Sequence, residues 1–294
     1  MEKNTSAIIA NIQNTLNQVR KAVVGKDPVL LWTLAAILAG GNILLEDIPG
    51  VGKTTMAVAF SRALGLRYNR MQFTPDVLPS DITGYSVMDK ETGELSYRPG
   101  AVLCNLFLAD ELNRATSRTQ SALLEAMEEG QVTVDGKSYP LPKPFMVMAT
   151  QNPAGAAGTQ LLPDSQLDRF MIRLSLGYPA PKDEVTMLLQ RQGTDPIRTV
   201  EPVLDAATVL DLQQTVAQTY VSQEIAQYVV ELMDATRRDG SLLRGGSPRA
   251  TLAVIAMAKA VACLRGRDYV VPKDVQEVFV ITVAHRVHPA PGAQ

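Results

Sequence analysis

Cysteine and histidine are scarce in this chain, with two of each. Cys104 and Cys263 lie far apart in apolar runs, and His285 and His288 sit close together near the end. That distribution excludes a disulfide scaffold and gives no Cys/His set for structural zinc. Aromatic residues make up only 5%, so packing must lean on Ala, Val, Leu and Met. Charge of a single sign is also missing: 28 Lys and Arg face 30 Asp and Glu, a net −2, which argues against a strong field for nucleic acid or an anionic membrane. Long apolar runs are limited to Pro28–Leu45, 18 residues without a charge, near the lower limit for spanning a bilayer. Gly40-Gly41-Asn42 breaks this run, and its halves read as a buried helix and a core strand, Ile43-Leu44-Leu45. The first residues lead into an Asn- and Gln-rich segment without an apolar core, so no secretory peptide is expected and the reading is cytoplasmic, with no membrane span.

What is present is an ordinary globular composition, 46% hydrophobic and 20% charged over 294 residues, with room for two domains. Apolar runs at Asn42–Glu46, Arg67–Phe73, Val102–Ala109, Phe145–Thr150 and Met171–Leu176 read as core strands. Helical stretches such as Thr55–Leu64 and Ser117–Met127 lie between them. Such alternation predicts an α/β fold, a parallel sheet with helices on its faces. Two hairpins interrupt it: Val132–Tyr139, where Asp135-Gly136 suits a type I′ turn, and Tyr85–Tyr97 across Lys90-Glu-Thr-Gly93. After Tyr178-Pro-Ala-Pro181 everything from Lys182 to Val287 has helical spacing, which divides the chain into an αβα unit, residues 1–178, and a helical unit, residues 179–294. The helix Pro248–Leu264 is apolar almost all round and is expected to be buried in the second unit. His285 and His288 are expected on a solvated face of the last helix, and Pro289–Gln294 reads as a loose tail.

The first strand runs into Glu46-Asp-Ile-Pro-Gly-Val-Gly-Lys-Thr-Thr55, whose part Gly50-x-Gly-Lys-Thr matches the end of a P-loop between strand and helix. A loop of this kind turns backbone N–H groups toward an anion, and the helix behind it adds the positive end of its dipole. Pro49, Gly50, Val51, Gly52, Lys53, Thr54 and Thr55 are therefore candidate nucleotide contacts, with Lys53 reaching the β- and γ-phosphates and Thr54 holding Mg²⁺. Asp47 replaces the first glycine of the pattern, a position where Asp is expected to tolerate an unusual backbone angle. Asp110 and Glu111 end a second core strand, where open α/β sheets gather their ligands. Asp110 is the candidate Mg²⁺ partner, and Glu111 the general base that polarises the attacking water. A third strand ends in Gln151-Asn152-Pro153, and Asn152 can hydrogen-bond that water or the γ-phosphate, although Asn before Pro is also a common turn starter.

Arg249 stands second or third in a helix whose N-terminus carries the positive dipole end, a poor place for a cation unless an anion is nearby, for which ATP is the candidate. Arg169 precedes the fifth strand, at the edge opposite the P-loop, so it cannot serve its own nucleotide; pairing with Asp168 is the plainer alternative. Arg114 is a second candidate for contact across an interface, supported only by its nearness to Glu111.

In motif order the chain resembles the MoxR family of AAA+ ATPases over essentially its whole length. The resemblance is carried by Glu46–Thr54, Leu108-Ala-Asp-Glu-Leu-Asn-Arg-Ala115, Leu123-Leu-Glu-Ala-Met-Glu-Glu-Gly-Gln-Val132, Ala149-Thr-Gln-Asn-Pro153, Leu167-Asp-Arg-Phe170 and Gly246-Ser-Pro-Arg-Ala250. It implies an AAA+ αβα domain followed by a small helical lid, with the two hairpins as insertions. It also implies an adenine contact at Val24-Gly25, Arg249 as a lid sensor of its own subunit's γ-phosphate, and Arg169 as an arginine finger for the neighbour's ATP. The implied activity is Mg²⁺-dependent ATP hydrolysis in a ring, a hexamer, that remodels or activates a client protein, often with a von Willebrand factor A-domain partner. A nucleic-acid motor is the competing reading, opposed by the absence of a basic track: Lys90 and Lys137 are offset by Asp89, Glu91, Glu94 and Asp135. A scaffold that binds ATP but scarcely turns it over is a third, and it has no need of Glu111.

Overall fold

The computed structural model describes residues 2–90, 93–152 and 162–292. Helices α1 (Glu2–Arg20) and α2 (Asp27–Leu38) precede strand β1 (Ile43–Glu46), which feeds α3 (Lys53–Ala63). Then come β2 (Tyr68–Gln72), the short α4 (Pro79–Thr83), the hairpin β3 (Gly84–Met88) and β4 (Leu95–Pro99), β5 (Leu106–Asp110) and α5 (Ser117–Glu129). A second hairpin, β6 (Gln131–Val134) and β7 (Lys137–Pro140), leads to β8 (Met146–Gln151), α6 (Asp164–Leu167) and β9 (Ile172–Leu174). The C-terminal part holds α7 (Pro181–Gln190), α8 (Ala206–Ala217), α9 (Gln223–Arg238), β10 (Leu242–Arg244), α10 (Pro248–Leu264), α11 (Pro272–Val283) and β11 (His288–Pro289).

The five expected runs form one parallel sheet, ordered β2-β5-β8-β1-β9. Alternate residues feed two cores. Ile43, Leu45, Leu106, Leu108, Met146 and Met148 face the helices α1–α3 and the C-terminal part. Leu44, Phe107, Ala109, Val147 and Ala149 face Leu123 and Phe170 on the other side. β5 and β8 are buried along their whole length, whereas β2 is a half-exposed edge strand rather than a core one, which fits its polar sequence Tyr-Asn-Arg-Met-Gln. β1 thus ends at the point where the strand order turns back, and the loop after it opens over the carboxyl ends of β5 and β8.

Both hairpins lie where expected, with Asp135 and Gly136 at φ 50° and 76°, the paired left-handed geometry of a type I′ turn. Tyr97 and Tyr139 stack with ring centroids 3.8 Å apart and tie one hairpin to the other. α10 is capped by Ser247, whose hydroxyl accepts from Ala250 N at 3.0 Å, and it is buried against α2 as well as α8, α9 and α11.

Three expectations are corrected at this end of the chain. Residues 182–287 are not wholly helical, because β10 pairs with β11. Pro289 belongs to that pair and Ala290 N donates to Ser241 O at 2.8 Å, so the tail begins later than expected. His285 does not face solvent: α11 stops at Val283, and the imidazole is buried in the turn beyond it, Nε2 donating to Phe170 O at 2.9 Å.

Candidate active site

The loop between β1 and α3 closes on itself through its lysine. Lys53 Nζ donates to the carbonyls of Asp47 at 2.8 Å and Ile48 at 3.2 Å. Burial pulls this ammonium below the usual lysine range, opposed by the nearby charges of Asp47, Asp110 and Glu111. Gly50 and Gly52 stand at φ 86° and 98°, and a Cβ on either would meet no protein atom within 4 Å, so the left-handed backbone, not crowding, demands glycine. Asp47 does not take such an angle, in contrast to the sequence expectation. Instead its carboxylate accepts from Ser175 Oγ at 3.1 Å, from Gly177 N at 2.9 Å and from Leu176 N, pinning the segment that leaves β9.

One cleft of about 390 Å³ gathers Pro49, Gly50, Gly52, Lys53, Thr54, Thr55, Asp110, Glu111 and Asn152. Asp110 is nearly buried; its Oδ1 accepts from Thr150 Oγ1 at 2.6 Å and its Oδ2 from Arg70 Nη2 at 2.6 Å. Glu111 follows at φ 56°, a left-handed conformation that costs a non-glycine residue about 1–3 kcal/mol and concentrates at functional sites. Its N–H donates to Thr150 Oγ1 at 2.8 Å, and its carboxylate accepts from Arg114 Nη1 at 2.8 Å and Asn152 Nδ2 at 3.2 Å. The Arg114 hydrogen bond, helped by Asn152 and opposed by burial, holds the Glu111 carboxyl below the usual range. Strands β5 and β8 thus bring an ionised acid and an amide to the mouth of the phosphate loop.

The neighbouring cleft, about 340 Å³, shares Pro49, Gly50, Gly52 and Thr55 and adds Val51, Val24, Lys26, Tyr178, Glu184 and Met187. Gly25 lies against the Asp183 carboxylate, so close that a Cβ would collide with it. Lys26 Nζ donates to Leu176 O and Tyr178 O, joining the start of α2 to the segment that leaves β9.

Residues 42–172 match the ATPase family associated with various cellular activities (AAA), and residues 234–294 match the AAA lid domain. YeaC of Bacillus subtilis, an uncharacterized protein, is 46% identical over 95% of this chain and 87% of its own length. Chaperone MoxR1 of Mycobacterium tuberculosis is 38% identical over 96% of this chain and 77% of its own. Protein MoxR of Paracoccus denitrificans is 30% identical over 99% and 93%. This chain belongs to the MoxR family of AAA+ ATPases. A crystal structure from Cytophaga hutchinsonii assigned as an ATPase superposes with a TM-score of 0.90, at 35% identity, over 98% of this MoxR-family chain and 90% of that one.

Two of the expected site residues lie elsewhere in this MoxR-family ATPase. Arg169 donates to Ser165 O at 3.3 Å, to Leu124 O at 3.4 Å and to Glu128 Oε2. Arg249 donates to Glu128 Oε1 at 2.6 Å. Both line a separate cleft with Asn42, which precedes β1, at the end of the sheet away from the phosphate loop. The anion that the start of α10 calls for is therefore Glu128, and Arg249 does not reach its own subunit's nucleotide cleft. Asp168 does not pair with Arg169 but with the buried Arg286, at 3.3 Å, and with Ser247 Oγ. Arg70, Gln72 and Thr150 also surround Asp110 and Glu111 and are not among the site candidates that the sequence motifs mark; the alternation of polar residues along an edge strand is the signal that marks Arg70 and Gln72.

Proposed function

We propose that this ATPase hydrolyses ATP with Mg²⁺ and assembles into a ring, a hexamer, whose cycle remodels or activates client proteins in the cytoplasm. In this reading residues 1–178 form the nucleotide unit and residues 179–294 the lid. The observation that carries it is the convergence of Lys53, Thr54, Asp110, Glu111 and Asn152 on one cleft. The donor set suits the metal: the Thr54 hydroxyl has no partner among the described residues, and the Asp110 carboxylate keeps lone pairs beyond those taken by Thr150 and Arg70. Thr54 and Asp110 would hold Mg²⁺, which would supply charge neutralisation for the phosphates. Lys53 leaves its two carbonyls for the β- and γ-phosphates, and the amides from Gly50 to Thr54 cradle them. Glu111 accepts the proton of the attacking water while Asn152 orients it. Val24 and Gly25 border the base. Arg169 and Arg249, at the far end of the sheet, reach the nucleotide of an adjacent subunit.

The client is a folded protein, including one with a von Willebrand factor A domain, engaged through the paired hairpins. Phosphate release measured with and without Mg²⁺, together with light scattering of the Glu111→Gln protein in Mg–ATP, tests this reading. Hydrolysis that needs Mg²⁺ and a closed oligomer support it; hydrolysis by a species that stays monomeric contradicts it.

A further inference from the structure

Arg169 and Arg249 come from different parts of the fold, the turn before β9 and the first turn of α10, yet they meet on one carboxylate. Glu128 sits in the last turn of α5, at the negative end of that helix dipole, and Arg249 sits at the positive end of the α10 dipole. Each is electrostatically misplaced by itself, and the pair cancels both mismatches. Each Glu128 oxygen takes one guanidinium, which fixes the spacing of two cations that would otherwise repel. Arg169 is also held by two carbonyls, whereas Glu128 is the sole partner of Arg249 among the described residues. The Nη2 of Arg169 and the Nε and Nη1 of Arg249 keep no partner among the described residues, in a cleft of about 400 Å³ that Glu129 lines without bonding either arginine. About a third of the Glu128 side chain is exposed, and ion pairs so placed add little to stability, so geometry is what this contact supplies.

We infer that Glu128 is a positioning residue: it holds Arg169 and Arg249 as one two-pronged donor for the γ-phosphate of the adjacent subunit. The inference rests on the reading that these arginines act in trans. The alternative is that Glu128 withholds the arginines, and it predicts the opposite sign.

Steady-state ATPase kinetics of the assembled Glu128→Gln protein test it. Expected is a fall in kcat of about tenfold to a hundredfold, the scale on which a misplacement of about 1 Å acts, with KM little changed because the nucleotide is bound by another subunit. Mixing with Lys53→Ala protein, which has no working phosphate loop but intact arginines, restores turnover; mixing with the Lys53→Ala/Glu128→Gln double variant does not. Glu128→Asp, which keeps the charge but shortens the reach, is expected in between and replaces Glu128→Gln if that protein does not fold. Wild-type or faster turnover by Glu128→Gln overturns the inference, as does a loss that Lys53→Ala protein does not rescue while it rescues Arg169→Ala. If Arg169→Ala is not rescued either, with assembly verified, action in trans itself falls.

Discussion

Arg114 Nη1 donates to Glu111 Oε2 at 2.8 Å, so the acid proposed as general base is held by a cation three residues further on. That bond is the largest cause lowering the Glu111 pKa, and the carboxylate stays ionised to lower pH than a free glutamate. Replacing Arg114 with Met raises that pKa. The acid limb of the pH profile of kcat/KM, which reports the free enzyme, moves to higher pH, while activity on the alkaline side keeps its pH dependence. An acid limb that stays in place separates Glu111 from the base role.

Lys53→Ala removes a charge-assisted contact to phosphate and is expected to weaken ATP binding by about a hundredfold. Glu111→Gln keeps the shape and the Asn152 contact, so binding persists while turnover drops by about 10²–10⁴-fold. Isothermal titration paired with phosphate release separates the two effects.

Asp110 is shared between Thr150 and Arg70. Asp110→Asn leaves a neutral oxygen for the metal and keeps a hydrogen-bonding group for Thr150. Half-saturation of the ATPase by Mg²⁺ is expected to rise about tenfold or more, with nucleotide affinity in the absence of metal changed far less. A metal titration at fixed ATP reads this; an unchanged midpoint removes Asp110 from the metal site.

His285 is buried and neutral, its pKa brought down to about 3 by burial, with Arg286 adding to the shift. Since the unfolded chain takes up the proton near 6.5, the folded state loses stability as pH falls from about 6.5 toward 3, by at most about 1.4 kcal/mol per pH unit. His285→Gln can still donate to the Phe170 carbonyl but does not titrate. Its melting temperature, measured from pH 7 to 4.5, is expected to fall less steeply than that of the wild type; parallel curves contradict the assignment.

Local strings were the most legible part of this chain. The phosphate loop, the acids closing β5 and the Asp135-Gly136 turn each depend on residues next to one another in sequence, and each occupies the expected place in the fold. The order of the strands is not readable from their apolar runs, which look alike, and comes from the sheet itself. Arg249 shows the limit: the helix dipole correctly called for an anion, but the anion is 121 residues away in sequence and belongs to the protein. The apolar spacing that places His285 on a helix carries on past Val283, where the helix has already stopped. The pair β10–β11 has no sequence signature, because strands of three and two residues leave no period to read.

The Asp47 carboxylate also has a bearing on how such loops are compared. Glycine at position 47 would complete the P-loop pattern, yet it would strip Ser175, Leu176 and Gly177 of their common acceptor and free the chain leaving β9. That same chain continues to Tyr178, which lines the cleft next to the phosphate loop. In this protein the departure from consensus serves as a strut, and a repair guided by the consensus would loosen the far end of the site it was meant to perfect.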